Sequence, residues 1–186
     1  HDRAMILEVM GRDAGYIALN AGIAGGADVI LIPEIPYTIE GIAKKIQAVK
    51  DTGRNFALVI VSEAVKGPGG EKREVVYHGG ETRYGGIGEY LGPKIAEATG
   101  FETRATVLGH VQRGGNPTHN DRLLAQGLGV KAVDLIAEGE FGKMVAWRGR
   151  EAVAVPIEEA IKECRVVKSD SFLVHTARSL GISFGD

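Results

Sequence analysis

The chain has 186 residues, 44% hydrophobic and 25% charged, enough material for one large domain or two small ones with a buried core. Lys and Arg number 22 against 24 Asp and Glu, a net charge of −2, which excludes a generally basic nucleic-acid binder but leaves room for a local cationic pocket. A single cysteine, Cys164, excludes a disulfide framework and a multi-cysteine zinc site and predicts a reducing, cytoplasmic setting, while no apolar run reaches the roughly 18 residues a membrane helix needs.

Arg3 to Met10 (RAMILEVM) is a short apolar run ending at Gly11 and reads as a buried strand, with no signal peptide before it. Asp13 to Ala24 is Ala-rich, has helical spacing and stops at Gly25-Gly26. Asp28 to Ile32 is a second strand closed by Pro33. Thr38 caps a helix that ends at Gly53, and Phe56 to Ser62 (FALVIVS) is a third strand. Apolar strands without alternation, separated by helices, predict an α/β fold: a mostly parallel sheet with helices on both faces. Residues 66–86 break the rhythm with seven glycines, which predicts a surface excursion with a small hairpin around Val75-Val76-Tyr77. A helix follows from Gly88 to about Thr99, then a strand from Arg104 to Leu108 and a punctuated loop from Gly109 to Pro117. A long helix runs from Asn120 to about Glu138. A hairpin about Gly149 and two short helices near Glu158 and Ser171 finish the chain. Phe141 and Trp147 read as packing residues and Cys164 as a small buried hydrophobe. A doubly wound domain rarely starts on its first residue, so the chain reads as a piece of something longer.

Ligands of open α/β sheets bind at the C-terminal ends of the strands. There the sequence places Met10-Gly11-Arg12, then Ser62-Glu63, then His110, Gln112 and Arg113. Gly11-Arg12, at an expected helix start, offers free backbone N–H groups and a guanidinium fork for phosphate oxygens; the alternative is a surface arginine. His110 and Arg113, three apart before two glycines, suit a dianionic phosphate; the alternatives are a capped loop histidine and a solvated charge. Glu63 reads either as an acceptor for sugar hydroxyls or as a solvated strand-end carboxylate. Arg3 and Arg104 sit at the opposite strand ends, so they serve either a neighbour's pocket across a symmetric interface or no pocket at all. No P-loop pattern occurs, the histidines lack metal-ligand spacing, and no metal site is read from these residues.

Arg104-ATVL-Gly109-His110-Val-Gln112-Arg113-Gly114-Gly115-NPTHN-Asp121-Arg122 resembles the signature of the 6-phosphofructokinase family over its full length. Glu8-Val-Met10-Gly11-Arg12-Asp-Ala-Gly15, Ile23-Ala-Gly25-Gly26 and Pro33-Glu34 follow in the family's order. The likeness is strong over 3–63 and 100–139, weak over 66–86, and fades toward the C-terminus. It implies the C-terminal, fructose 6-phosphate-binding half of an enzyme that phosphorylates the sugar's 1-hydroxyl to give fructose 1,6-bisphosphate in glycolysis. Met10, Gly11 and Arg12 would grip the sugar phosphate, with Arg12 also stabilising the transferring phosphoryl group as the catalytic residue of this half. Glu63 would take sugar hydroxyls, and His110 and Arg113 the 6-phosphate from the same subunit. Arg3 and Arg104 would reach the 6-phosphate of an adjacent subunit in a homo-oligomer, a dimer or tetramer. Asp28 and Arg54 fall where effector contacts are expected, although Thr52 replaces a second basic residue. Mg2+ would accompany the donor, ATP or pyrophosphate, bound mainly by upstream residues together with the catalytic base.

The same resemblance implies three regions: a sugar-phosphate-binding α/β domain over 1–113, a segment over 114–160 that packs on the nucleotide domain, and a helical return over 161–186. No nucleic-acid or membrane partner is expected. The alternative of a different class is a sugar-phosphate-binding or regulatory module without turnover.

Overall fold

The computed structural model describes residues 3–71, 73–76, 80 and 82–186. Its contacts divide the chain into two compact units, residues 1–113 with 166–186, and residues 114–165.

The first unit is built on a four-stranded sheet in the order β2-β3-β1-β6, from β1 (Arg3–Val9), β2 (Val29–Leu31), β3 (Phe56–Ser62) and β6 (Glu102–Val107). All its pairings are parallel, with Ala4 opposite Ala57, Thr103 opposite Ala4, and Ile30 opposite Ile60. Side chains alternate across a strand, so each strand feeds two cores. Ala4, Ile6, Ala57, Val59 and Val61 pack on one side against α2 (Ile39–Asp51) and α3 (Ile87–Thr99), through Ile42, Ile46, Leu91 and Ile95. Val9, Ile30 and Ile60 pack on the other against α1 (Tyr16–Gly25) and α6 (Phe172–Ser179), through Leu19, Val174 and Ala177. The parallel sheet covered on both faces is the architecture the strand composition predicts.

Local signals account for most boundaries. Thr38 caps α2 by accepting the Gly41 N–H at 2.9 Å. Gly26 ends α1 in the left-handed conformation, φ 68°, where a side chain would be strained. Two helices are capped from a distance instead. At α1, the Gly15 N–H donates to the Glu34 carboxylate at 2.9 Å, which also accepts the Val167 N–H at 2.8 Å. At α3, Gly86 has no side chain to offer, and Glu8 of β1 takes its place. Residues 166–186 return to this unit: Ser183 bridges Val29 in parallel, and Phe184 is fully buried.

Between β3 and α3 stands a hairpin of β4 (Glu74–Val76) and β5 (Thr82–Tyr84), where the glycine-rich excursion is expected. Tyr77, part of that expectation, lies outside the described residues.

The second unit joins α4 (His119–Ala137) to a hairpin of β7 (Lys143–Arg148) and β8 (Glu151–Pro156) and a short α5 (Ile157–Ile161). A capping box between Thr118 and Asp121 starts α4. Gly149 and Arg150 turn the hairpin, both at positive φ.

Several expectations are corrected. Cys164 is exposed, because it follows α5 in a stretch that lies on no sheet face. Phe141 is 72% exposed. Trp147 approaches Gly127 of α4 but remains 50% exposed, since a two-stranded sheet with one helix against it cannot enclose a large ring. Residues Gly109–Arg113 form a 3-10 turn rather than an open loop. β6 begins at Glu102, so Arg104 is its third residue rather than its first. Helix α1 begins at Tyr16, after a tight turn in which the Ala14 N–H donates to Gly11 O at 3.1 Å.

Candidate functional site

The C-terminal ends of β1, β3 and β6 open onto a cleft of about 1100 Å³. Seven residues singled out from the sequence line it together: Met10, Gly11, Arg12, Glu63, His110, Gln112 and Arg113. They converge because parallel strands deliver their following loops to one edge of the sheet. The opposite wall is the β4–β5 hairpin, through Glu74, Val75, Thr82, Arg83 and Tyr84.

The turn after β1 is the centre of the cleft. Arg12 adopts φ 53°, a left-handed conformation uncommon for a residue with a Cβ and concentrated at functional sites. The Glu63 carboxylate holds it there: its Oε1 accepts the N–H groups of Gly11 at 3.1 Å and Arg12 at 2.9 Å. These are the amides that the expected helix start would have left free for an anion. The helix starts four residues later, and the amides are already satisfied. At this turn an anion would meet the guanidinium rather than these two amides. Gly11 cannot be larger, since a Cβ there would lie 2.4 Å from Ala14 O. Gln112 clamps the turn from β6's side, accepting the Met10 N–H at 3.3 Å and donating to Gly109 O at 3.1 Å.

Carboxylates outnumber guanidinium groups around the cleft: Glu8, Asp13, Glu63, Glu74 and Glu89 against Arg12, Arg83 and Arg113. Three of these acids are committed. Glu63 holds the Arg12 turn, and Asp13 accepts from the Tyr84 hydroxyl at 3.0 Å. Glu8, 2% exposed, accepts the N–H groups of Gly86 at 2.9 Å and Gly88 at 2.8 Å. Burial pushes the Glu8 carboxyl above the usual carboxylate range, the two amides pull it back, and the charges of Glu63 and Glu89 add to the rise. The cleft thus combines guanidinium groups with acceptors for hydroxyls. A phosphorylated polyol fits that combination.

Arg3 and Arg104 do not reach this cleft. They lie at the other end of the sheet, where the register sets Arg3 beside Glu102 and Arg104 beside Met5. Both donate to the exposed Glu102 carboxylate, Arg104 Nη2 at 2.7 Å and Arg3 Nε at 3.2 Å, which holds that carboxyl below its usual range. Asp28 and Arg54 share the same sheet end. Arg54 pairs with Asp28 in a bidentate bridge at 2.8 and 3.1 Å, and the Asp28 carboxylate, 5% exposed, also accepts the Leu58 N–H at 2.9 Å. Arg54 further lies 4.6 Å from the Phe56 ring centroid.

Sequence reasoning missed the hairpin wall and Glu8 as parts of the site. A signal for Glu8 was present: it is the one acid in an otherwise apolar strand, and a buried carboxylate demands partners. Among the described residues, no group of three or more His, Cys, Asp or Glu could hold a metal ion. No helix among them is long and apolar enough to cross a membrane.

Comparison with known proteins gives the same direction. The phosphofructokinase family model matches residues 1–136. The chain is 59% identical over 186 residues to ATP-dependent 6-phosphofructokinase 1 of Synechocystis sp., covering all of this chain and 52% of that protein. It is 54% identical over 186 residues to ATP-dependent 6-phosphofructokinase 1 of Nostoc sp., again covering 52% of it. The chain thus spans about half the length of these relatives. Among solved structures, phosphofructokinase from Saccharomyces cerevisiae superposes with a TM-score of 0.70 at 30% identity, over 98% of this chain and 23% of that one. With its sheet, its cleft and 136 matched residues in agreement, this chain belongs to the phosphofructokinase family.

Proposed function

We propose that this chain is the sugar-phosphate half of a 6-phosphofructokinase, the full protein transferring a phosphoryl group to the 1-hydroxyl of fructose 6-phosphate. The observation that carries the reading is the Arg12 turn: a guanidinium set on a left-handed residue, held by Glu63, in one cleft with His110 and Arg113. Arg113 and His110 hold the 6-phosphate, a fork and a single donor on one dianion. Both backbone bonds to Glu63 go to Oε1, which leaves Oε2 for sugar hydroxyls. Arg12 faces the charge that develops on the transferring group, where a fixed cation lowers the barrier without reorganisation.

ATP is the proposed donor, supported by the names of the relatives above half identity. Mg2+ accompanies the donor in this reading, and no part of the argument runs through it. The sequence division into a sugar-phosphate domain over 1–113, a segment over 114–160 that meets the nucleotide-binding half, and a return over 161–186 belongs to the same proposal, as does a cytoplasmic setting. Arg3 and Arg104, held as a pair by Glu102, are proposed to serve the cleft of a second copy in a homo-oligomer. An effector anion at Arg54 would have to compete with Asp28, so effector binding there is tied to the stability of that sheet end.

The test is calorimetric titration of the full-length protein with fructose 6-phosphate. Arg113→Ala is expected to weaken binding by about 2–4 kcal/mol, as a charge-assisted fork is lost from a dianion. Unchanged affinity rejects the assignment.

A further inference from the structure

We propose that the β4–β5 hairpin is a positioning wall for the cleft, set by Glu8 at its base and by Tyr84 beside the Arg12 turn. The inference rests on the sugar-phosphate reading of the cleft and adds the element that sets its width.

The hairpin cannot hold its own place. Its strands are three residues each, and Val75 and Val76 of β4 are 40% and 70% exposed. Two-stranded hairpins of this size are marginal in water without outside support. Polar tethers supply that support. At the base, Glu8 Oε1 accepts the Gly86 N–H at 2.9 Å and Oε2 the Gly88 N–H at 2.8 Å. Gly85 then donates to Arg73 O at 3.2 Å, closing the hairpin's two ends on each other. Nearer the ligand, the Tyr84 hydroxyl donates to Asp13 at 3.0 Å, one residue beyond Arg12.

The choice of group is informative. Helices usually start at a Ser, Thr, Asp or Asn cap. Instead, position 86 is a glycine at φ 81° with no side chain, and the cap is an anion buried in β1. That arrangement is costly, because the carboxylate loses water and lies near Glu63 and Glu89. What it gains is a link: Glu8 is two residues before Met10 on the strand that feeds the Arg12 turn. The strand that presents the binding turn and the segment that presents the facing wall are thereby fixed to one carboxylate. Both oxygens are used, so a shift of the wall means breaking a bond to β1.

The experiment titrates fructose 6-phosphate into the full-length wild type, Glu8→Gln, Tyr84→Phe and the double variant, with the melting temperature of each. Tyr84→Phe is expected to weaken binding several-fold with an unchanged melting temperature, since it removes one exposed hydroxyl bond. Glu8→Gln is expected to weaken it about tenfold or more, a displacement effect on a preorganised site. The double variant should bind no more weakly than Glu8→Gln alone, because both substitutions act through the same wall. Losses that multiply in the double variant, or a folded Glu8→Gln that binds as wild type, overturn the proposal. If Glu8→Gln does not fold, Tyr84→Phe decides: unchanged affinity overturns it. A wild type that binds no fructose 6-phosphate instead removes the reading of the cleft itself, and no variant is needed to see it.

Discussion

Arg12→Gly separates stability from recognition at the Arg12 turn. Arg12 sits at φ 53°, where a residue with a Cβ carries a cost of roughly 1–2 kcal/mol. Glycine removes that cost but loses about 0.5–1 kcal/mol more conformational freedom on folding. The difference leaves a net gain of about 0.5–1 kcal/mol. For a chain of this size that corresponds to a rise of about 1–4 °C in melting temperature. Arg12→Ala keeps the strain and is expected to leave stability near wild type. Both variants lose the guanidinium that faces the transferring phosphoryl group, so turnover of the full-length protein should fall more than its affinity for fructose 6-phosphate. Differential scanning calorimetry beside steady-state kinetics of the full-length protein reads both quantities. The reasoning fails if Arg12→Gly melts below Arg12→Ala, for then the left-handed turn stores no strain. It also fails if either variant turns over fructose 6-phosphate as fast as wild type.

Three further outcomes follow from the fold. Gly15→Ala would place a Cβ 2.3 Å from Ile32 Cβ, a clash against core rather than a movable side-chain tip, so a loss of about 3 kcal/mol or more is expected in denaturant unfolding; a wild-type midpoint contradicts it. Asp28→Ala removes the acceptor of the Arg54 bridge and of the Leu58 N–H and should cost about 2–3 kcal/mol in the same assay. Glu8, with its carboxyl raised by burial, binds its proton more tightly in the folded state than in the unfolded one. Its contribution is therefore greatest at low pH and falls as pH rises from the ordinary glutamate value through the raised one. Stability of wild type minus that of Glu8→Gln should decline across that window, and a rising difference contradicts the assignment.

The elements that follow from local chemistry were legible in the residues. FALVIVS gave β3 residue for residue, Thr38 marked the start of α2, and unalternating strands implied a sheet buried on both faces. The motifs after β1, β3 and β6 could be assigned to one end of the sheet because parallel topology leaves them nowhere else. Arg3 and Arg104 could be assigned to the other end for the same reason. Pairings between residues far apart in the chain were beyond any local pattern. Glu63 reaches back 52 residues to the Gly11 amide, Glu8 reaches 80 residues forward to Gly88, and Glu34 accepts from Val167 across 133. Each is a carboxylate that replaces a local cap or a free amide with a distant one, and no propensity or spacing encodes which amide it finds. The sequence determined which strand-end motifs arrive at the cleft; only the tertiary structure decided that the Gly11 and Arg12 amides were already taken by Glu63, because an acceptor must find its donors wherever the fold brings them.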